Sequence, residues 1–368
     1  MKENRSDITP RRARFGGRGL SLLLHVLVLL ALVGCEDKDR TRATTTTPAP
    51  TTQPRTVVVF TAHDRVYSEP ILKEFERRTG IVVQPVYDAE SAKTTALVNR
   101  LLARRDRPEC DVLWNNEVVQ IESLAQADVL ASYRSANTAR IPEKFRGRFD
   151  LWTGFAGRLR VFVYNTKRYP LTEPPATLAA FTDPAQRGRG VIALPYYGTT
   201  FTHMGVLHQR LGPQRLAQWL DRARDNDTAF APGNGSAVDL VASGERWFGL
   251  TDTDDARVAI LEGRPIGIAI PDAADGSVLI PNTVALIKGA PHAEEGRQLI
   301  DFLLSADVER KLAEMPSAQI PLGTDLRDVV TPWAALLKDA PPMELPVETI
   351  ARSRNELIEL LRGLELGQ

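Results

Sequence analysis

An acidic stretch, Gly-Leu-Thr-Asp-Thr-Asp-Asp-Ala over residues 249–256, follows an apolar run. Its carboxylates, Asp252, Asp254 and Asp255, lie within four positions, and like charges so close repel unless something compensates them. Three interpretations stay open. The stretch could be a phosphatase-type motif, with Asp252 as nucleophile and Asp254 as general acid beside Mg²⁺, a site for a bound cation, or a solvated helix N-terminus. The phosphatase interpretation is the weakest, because the motif comes late in the chain and no lysine and paired-aspartate set follows it.

The elements that must position these residues show a regular alternation. In the first part of the chain, apolar β-branched runs predict strands at 56–60, 81–83 and 111–114, and helices at 68–80, 92–105 and 118–127 lie between and after them. Ser68-Glu69-Pro70 reads as the start of the first helix, with Ser68 as its N-cap. Strand and helix in alternation predict an α/β fold with a parallel, doubly wound sheet.

A second alternating set begins at a longer apolar strand over 158–164. The patterns after it predict four strands, a pair of neighbouring helices, a last strand and two amphipathic helices. In chain order these strands lie at 191–194, 247–250, 266–270 and 277–280, the paired helices at 200–211 and 213–224, the last strand at 283–287, and the amphipathic helices at 291–304 and 347–364.

Polar residues follow the predicted strands directly, at the place where open α/β sheets bind ligands. We therefore expect a cleft formed by four loops. Its candidate ligand-binding residues are His63, Asp64, Asn116, Glu117, Tyr197, Gly198, Thr199, Thr200, Asp252, Asp254 and Asp255.

The chemistry of these residues favours two kinds of ligand. Gly198, Thr199 and Thr200 lead into a helix, so they predict either an anion seat at its N-terminus or a plain Thr cap. The carboxylates of Asp64, Glu117, Asp254 and Asp255 are hard oxygen donors, suited to Fe³⁺, Ca²⁺, Mg²⁺ or Mn²⁺. The same carboxylates opposite an anion seat would also suit an organic zwitterion.

The N-terminal segment has the composition of an export signal and a tether. Residues 1–34 carry a basic start and a short apolar run, ending in Leu-Val-Gly-Cys, which is similar to a bacterial lipobox. We expect a lipoprotein signal peptide over 1–34, lipidation of Cys35 and a Thr/Pro-rich tether over 35–55, so that the protein is held at a membrane surface.

The charge balance argues against nucleic acid as a partner. The whole chain has 46 basic and 46 acidic residues; six basic and two acidic ones lie in residues 1–34, which leaves 40 against 44 in the rest. A mildly acidic body without a basic stripe is not typical of nucleic-acid-binding proteins. We expect a monomer.

The order of several short segments resembles the substrate-binding lipoproteins of ABC importers, in the ferric-iron-type group, across nearly all of residues 56–325. The segments are Val59-Phe60-Thr61-Ala62-His63-Asp64, Phe75-Glu76-Arg77-Arg78-Thr79-Gly80-Ile81, Asp111-Val112-Leu113-Trp114-Asn115-Asn116-Glu117, Gly198-Thr199-Thr200 and Pro291-His292-Ala293-Glu294-Glu295. The resemblance implies a type II periplasmic-binding-protein fold: lobe 1 over 56–155 plus 284–368, lobe 2 over 156–283, and crossover strands at 158–164 and 277–285 as a hinge.

The resemblance also implies a function without catalysis: capture of a small polar solute and delivery to ABC permease subunits in the membrane. In the ferric-binding relatives, a Tyr pair holds iron, and a synergistic anion such as phosphate or carbonate sits at the loop equivalent to 198–200. Asp254 and Asp255 stand at the Tyr-pair positions here. We expect no cofactor and, as ligand, ferric iron with an anion, with Asp64, Glu117, Asp254 and Asp255 as metal ligands. A phosphonate or sugar phosphate is the alternative.

Overall fold

The computed structural model describes residues 54–88, 95–169 and 173–367. The predicted signal peptide, Cys35 and all but the last two residues of the predicted tether lie outside these ranges, so they stay predictions. The described residues belong to one compact unit. Within the described ranges, no helix combines the length and the apolar character that crossing a bilayer requires.

Within the described residues, ten strands make up one sheet. In chain order they are β1 (Thr56–Thr61), β2 (Val82–Tyr87), β3 (Val112–Asn115), β4 (Leu130–Ala131), β5 (Thr153–Asn165), β6 (Gly190–Ala193), β7 (Ala229–Ala231), β8 (Phe248–Asp252), β9 (Ile266–Ala269) and β10 (Leu279–Ile287).

Helices lie between and after these strands, and the helices that follow Gly233, Ser305 and Trp333 were not predicted. The helices are α1 (Arg65–Thr79), α2 (Thr95–Ala103), α3 (Val119–Gln126), α4 (Gly198–Leu211), α5 (Pro213–Asp225), α6 (Asn234–Ser243), α7 (Thr253–Leu261), α8 (Ala293–Leu303), α9 (Ala306–Glu314), α10 (Ala334–Asp339), α11 (Val347–Arg352) and α12 (Arg354–Gly363).

Two long antiparallel strands join two parallel sets. The strand order is β2-β1-β3-β10-β5-β8-β6-β7, with β4 paired to β10 and β9 paired to β5. The pairs β1/β2, β1/β3, β6/β7 and β6/β8 are parallel, whereas β5 and β10 run antiparallel to each other and to their other neighbours. The parallel pairs are thus as expected at both ends of the sheet, and the antiparallel centre is formed by the strands predicted as crossovers. The predicted lobe boundaries fall within β5 and β10 and stay predictions.

Successive residues of the strands bury on opposite faces of the sheet, as a doubly wound fold requires. Val59 and Val161 belong to one apolar cluster, and their chain neighbours Phe60 and Phe162 belong to the other. Helices therefore cover both faces, and the strand ends remain available to form a site.

The start of α1 differs from the prediction. The helix begins at Arg65, with Asp64 at the N-cap position and Pro70 inside the helix. Ser68 is not a cap, because its hydroxyl donates back to the Asp64 carbonyl (3.0 Å), as a serine inside a helix does.

The C-terminal helical segment predicted over 347–364 is two helices, α11 and α12, which meet at Ser353. Both pack against α4; α11 also contacts α3, and α12 also contacts α5. The short strands β4 and β7 were not expected, since two or three residues are too few for an alternating pattern to show.

Candidate ligand-binding cleft

The loops predicted to form a site converge on one cleft of about 600 Å³, counting the part open to solvent. All of the predicted ligand-binding residues except Glu117 line it. The remaining lining residues are Arg158, Ala193, Leu194, Pro232, Gly233, Asn234 and Gly235.

Two helix starts give the cleft a positive wall. The helices α4 and α6 begin at Gly198 and Asn234, their N-cap residues are Tyr197 and Gly233, and neither N-cap side chain accepts a helix N–H. Neither first turn contains an acidic residue. Free N–H groups and the positive end of the helix dipole therefore face the cleft at both places, and this favours an anion. Gly198 has φ of +55°, which glycine adopts without strain.

A buried arginine ties these helix starts together. Arg160, on β5, is fully buried and pairs with Asp252 (Nη1–Oδ1 2.7 Å). The same guanidinium donates to the hydroxyls of Thr199 (3.1 Å) and Thr200 (3.2 Å) and to the Asn234 side-chain oxygen (3.1 Å). Both predicted anion-binding hydroxyls are thus held by protein groups, so it is the backbone N–H groups of this loop that are presented to a ligand.

A second buried arginine links β5 to β10, to the loop after β3 and to the start of α7. Arg158 lies two residues before Arg160 on β5, on the same face of the strand, and its side chain is 3% exposed. It pairs with Asp254 (Nε–Oδ2 2.9 Å), donates to Asn282 Oδ1 (2.8 Å) and donates to the Asn116 carbonyl oxygen. Because a buried guanidinium is costly unless fully bonded, these contacts hold the loop after β3 close to the start of α7.

The carboxylates at the start of α7 give the cleft a negative wall. Asp252, Asp254 and Asp255 each offer an oxygen atom within 4.8 Å of the others. Burial raises the pKa of Asp254; the Arg158 charge opposes this, and the Asp252 and Asp64 charges add to it. An additional positive charge in the cleft would therefore stabilise the ionised form of Asp254.

The first half of the sheet contributes His63, Asp64 and Asn116. His63 is 3% exposed, its ring lies 5.1 Å from that of Trp114, and its Nε2 is 3.2 Å from Gln319 Nε2. Asp64 lies at the N-cap position of α1. The side-chain oxygen of Asn116 is buried and has no hydrogen-bond partner among the described residues, so it is available to a ligand donor.

Glu117 does not line the cleft, although the sequence suggested it as a metal ligand. It is fully buried, and its carboxylate accepts from the N–H groups of Val119 and Gln120 (both 2.8 Å) at the start of α3 and from the Thr202 hydroxyl (2.8 Å). Burial raises its pKa, and these three donors oppose the shift. Its oxygens are occupied in capping α3 and linking it to α4.

The negative wall also borders a second space. A neighbouring cavity of about 770 Å³ is lined by the shared residues Asp64, Gly235, Asp254 and Asp255 and by Tyr67 among others. A Cβ at Gly235 would lie 3.5 Å from Asp255 Oδ1. The positive start of α6 and the negative wall are therefore separated by only a few ångströms.

Sequence reasoning missed Arg158, Arg160 and Asn234. The two arginines were within a segment recognised only as an apolar strand, Arg158–Tyr164. The pattern that could have identified them is a pair of charged residues two positions apart in an apolar strand. This spacing puts both charges on the same buried face. Asn234 lies between two glycines, after a strand of three residues that the pattern did not reveal.

A model of the bacterial extracellular solute-binding protein family matches residues 71–341. The chain belongs to this family. The recognition made from the short segments is thereby confirmed, and the family consists of binding proteins.

Two curated relatives have different ligands in their names. A putative 2-aminoethylphosphonate-binding periplasmic protein of Salmonella typhimurium is 26% identical over 264 residues, which are 70% of this chain and 73% of the relative. Iron uptake protein A1 of Synechocystis is 25% identical over 261 residues, 66% of this chain and 69% of the relative. Both kinds of ligand expected from the sequence are thus represented among the relatives.

Solved structures confirm the fold class. Iron-bound HitA from Pseudomonas aeruginosa superposes with a TM-score of 0.74 at 22% identity, over 85% of this chain and all of the other. AfuA from Actinobacillus pleuropneumoniae, with fructose-6-phosphate bound, gives 0.72 at 19% identity, over 82% of this chain and 96% of the other. The two-lobe α/β periplasmic-binding-protein fold is therefore established for this chain.

Proposed function

We propose that this solute-binding protein is the capture component of an ABC importer and that its cleft takes a small organic zwitterion of the aminophosphonate class. The bipolar cleft supports this best: the uncapped starts of α4 and α6 form one wall, and the carboxylates of Asp64, Asp254 and Asp255 form the other. A phosphonate or similar anion binds the N–H groups, and an ammonium group binds the carboxylates.

The closeness of the two walls limits the size of the ligand. Because the start of α6 at Gly235 lies within a few ångströms of the Asp255 carboxylate, a ligand whose opposite charges are a few bonds apart can contact both walls. 2-Aminoethylphosphonate has this spacing. A ligand with the anion alone makes no charge-assisted contact with the negative wall, so we expect it to bind more weakly.

Ferric iron with an anion is the second candidate. The three neighbouring carboxylates at the start of α7 favour it, since hard oxygen donors suit Fe³⁺. It ranks below the zwitterion because Asp252 and Asp254 are already paired with Arg160 and Arg158, with which a metal ion must compete.

Binding of matched ligands tests the proposal. We expect 2-aminoethylphosphonate to raise the melting temperature of the purified protein, and ethylphosphonate, which lacks only the amine, to bind at least about tenfold more weakly, because a charge-assisted contact is lost. Asp255→Asn should remove this preference for the amine. Asp221→Asn, at a partly exposed position on α5 outside the cleft, is the matched control and should retain it.

The same titration separates the candidates. If ferric citrate stabilises the protein and no phosphonate does, the zwitterion proposal is wrong and the iron candidate stands. Equal affinity for 2-aminoethylphosphonate and ethylphosphonate would show that the carboxylates of the negative wall do not bind the amine.

Delivery and location complete the proposed function. We infer that the loaded protein docks on a membrane permease and that acylated Cys35 holds it at the periplasmic or outer face of a bacterial membrane. The family and the short apolar segment before Cys35 support this. Metabolic labelling with a fatty acid tests it: Cys35→Ala should remove the label and release the protein from the membrane fraction.

A further inference from the structure

A further cavity, of about 780 Å³, is lined in part by Tyr197 and contains none of the carboxylates of the negative wall. One side is the face of α12 that carries Arg354, Ile358 and Arg362, spaced by four residues so that they share one helix face. The other lining residues are Thr95, Gln120, Tyr196, Tyr197 and Leu366. Tyr197 lines both this cavity and the cleft.

Two cationic side chains line this cavity, and neither has a carboxylate partner among the described residues. Arg354 donates to Gln120 Oε1 (2.9 Å) and Asn355 Oδ1 (3.3 Å), both neutral amides. Among the ion pairs of residues 54–88, 95–169 and 173–367, none includes Arg354 or Arg362. By contrast, Arg140, which is also partly buried, pairs with two carboxylates.

The electrostatics show that the Arg354 charge is not fully compensated. Burial lowers its pKa, the charge of Arg362 lowers it further, and only Glu117 acts in the opposite direction. The Glu117 carboxylate already accepts hydrogen bonds from the N-terminus of α3 and from the Thr202 hydroxyl. An anion placed between the two guanidinium groups would relieve both the repulsion and the burial cost.

We propose that this cavity is a second binding site, for a small free oxyanion such as phosphate or a phosphate ester, held by Arg354 and Arg362. Guanidinium groups bind tetrahedral oxyanions through paired N–H donors. The tyrosine rings and Ile358 beside them suit an organic group attached to the oxyanion. The proposal does not depend on which ligand occupies the cleft.

Calorimetric titration of the purified protein with inorganic phosphate tests this inference. We expect Arg354→Gln/Arg362→Gln to weaken one class of phosphate site at least tenfold and to leave the affinity for 2-aminoethylphosphonate within twofold. Arg352→Gln is the matched control, since this exposed arginine on α11 does not line the cavity, and it should leave phosphate binding unchanged.

Further variants keep the test independent of folding and of the cleft. Arg362 is exposed, so Arg362→Gln alone should fold and weaken phosphate binding, and Arg354→Lys/Arg362→Lys should restore part of it. Asn234→Ala, in the cleft, should leave the α12 site intact. Unchanged phosphate binding in Arg354→Gln/Arg362→Gln overturns the inference, as does loss of all phosphate binding in Asn234→Ala.

Discussion

Arg158 and Arg160 hold together four of the loops that form the cleft. Each is buried on β5, and each pairs with an aspartate at the start of α7. Through its other donors, Arg160 reaches α4 and α6, and Arg158 reaches the loop after β3. The aspartates of the opening acidic stretch are therefore neither simply solvated nor simply ligands; two of them compensate buried arginines.

Removal of Asp254 tests the importance of this pairing for stability. Asp254→Ala leaves Arg158 buried without its counter-ion, and we expect the free energy of unfolding to fall by about 3 kcal/mol. Arg158→Met/Asp254→Leu should recover most of this loss, because the uncompensated charge is gone. Urea denaturation measures both. The matched control is Asp255→Ala, for which we expect under about 1 kcal/mol. Equal losses for Asp254→Ala and Asp255→Ala would contradict the argument.

Helix starts decide what the cleft can bind. The first turns of α4 and α6 contain no acidic residue, whereas that of α7 contains Asp254 and Asp255. The N-termini of α4 and α6 therefore contribute positive charge to the cleft. At α7 the two aspartates offset the positive end of the helix dipole.

The packing of α4 against α11 leaves no room for a methyl group. A Cβ at Gly205 would overlap with Cγ2 of Ile350. We expect Gly205→Ala to lower the free energy of unfolding by about 2 kcal/mol, because overpacking outweighs the better helix propensity of alanine.

A compensating change identifies the cause. Gly205→Ala/Ile350→Ala should be more stable than the sum of the single variants predicts, since the new methyl group fills part of the space that Ile350 leaves. Thermal and urea denaturation measure the coupling. Strict additivity would show that α4 and α11 do not pack as the structure has them.

At the scale of the whole molecule, stability should depend on pH through buried His203 on α4. Burial lowers its pKa from the ordinary 6.5 to about 3, and the charges of Arg160 and Arg210 act in the same direction. The unfolded chain therefore binds a proton before the folded one, so stability is lost as the pH falls below about 6.5. We expect this residue to contribute a slope of up to about 1.4 kcal/mol per pH unit between pH 6 and 3.5.

The slope is measured by urea denaturation at several pH values. His203→Gln cannot be protonated, so its stability should fall less steeply with acid than that of the natural protein, whatever its value at pH 7. Parallel pH profiles of the two proteins would mean that His203 does not carry this dependence.

Much of the architecture was predictable because it follows from local patterns. Apolar runs and helical periodicity predicted β1, β3 and α4 to α5 nearly at their observed bounds. The loops after the strands were expected to meet because the carboxyl ends of parallel strands share an edge. Patterns of two or three residues, as in β4 and β7, were too short, and the first helix was misplaced because Ser68 and Pro70 resemble a helix start.

The sequence by itself determined the family, the α/β fold and four of the loops that line the cleft, because periodicity and strand order are properties of neighbouring residues. Only the tertiary structure decided what each polar side chain does. Glu117 caps α3 instead of facing the cleft, and Asp252 and Asp254 pair with arginines about 90 residues away in the chain. A buried charge must find a partner wherever the fold provides one, and sequence distance does not reveal which partner that is.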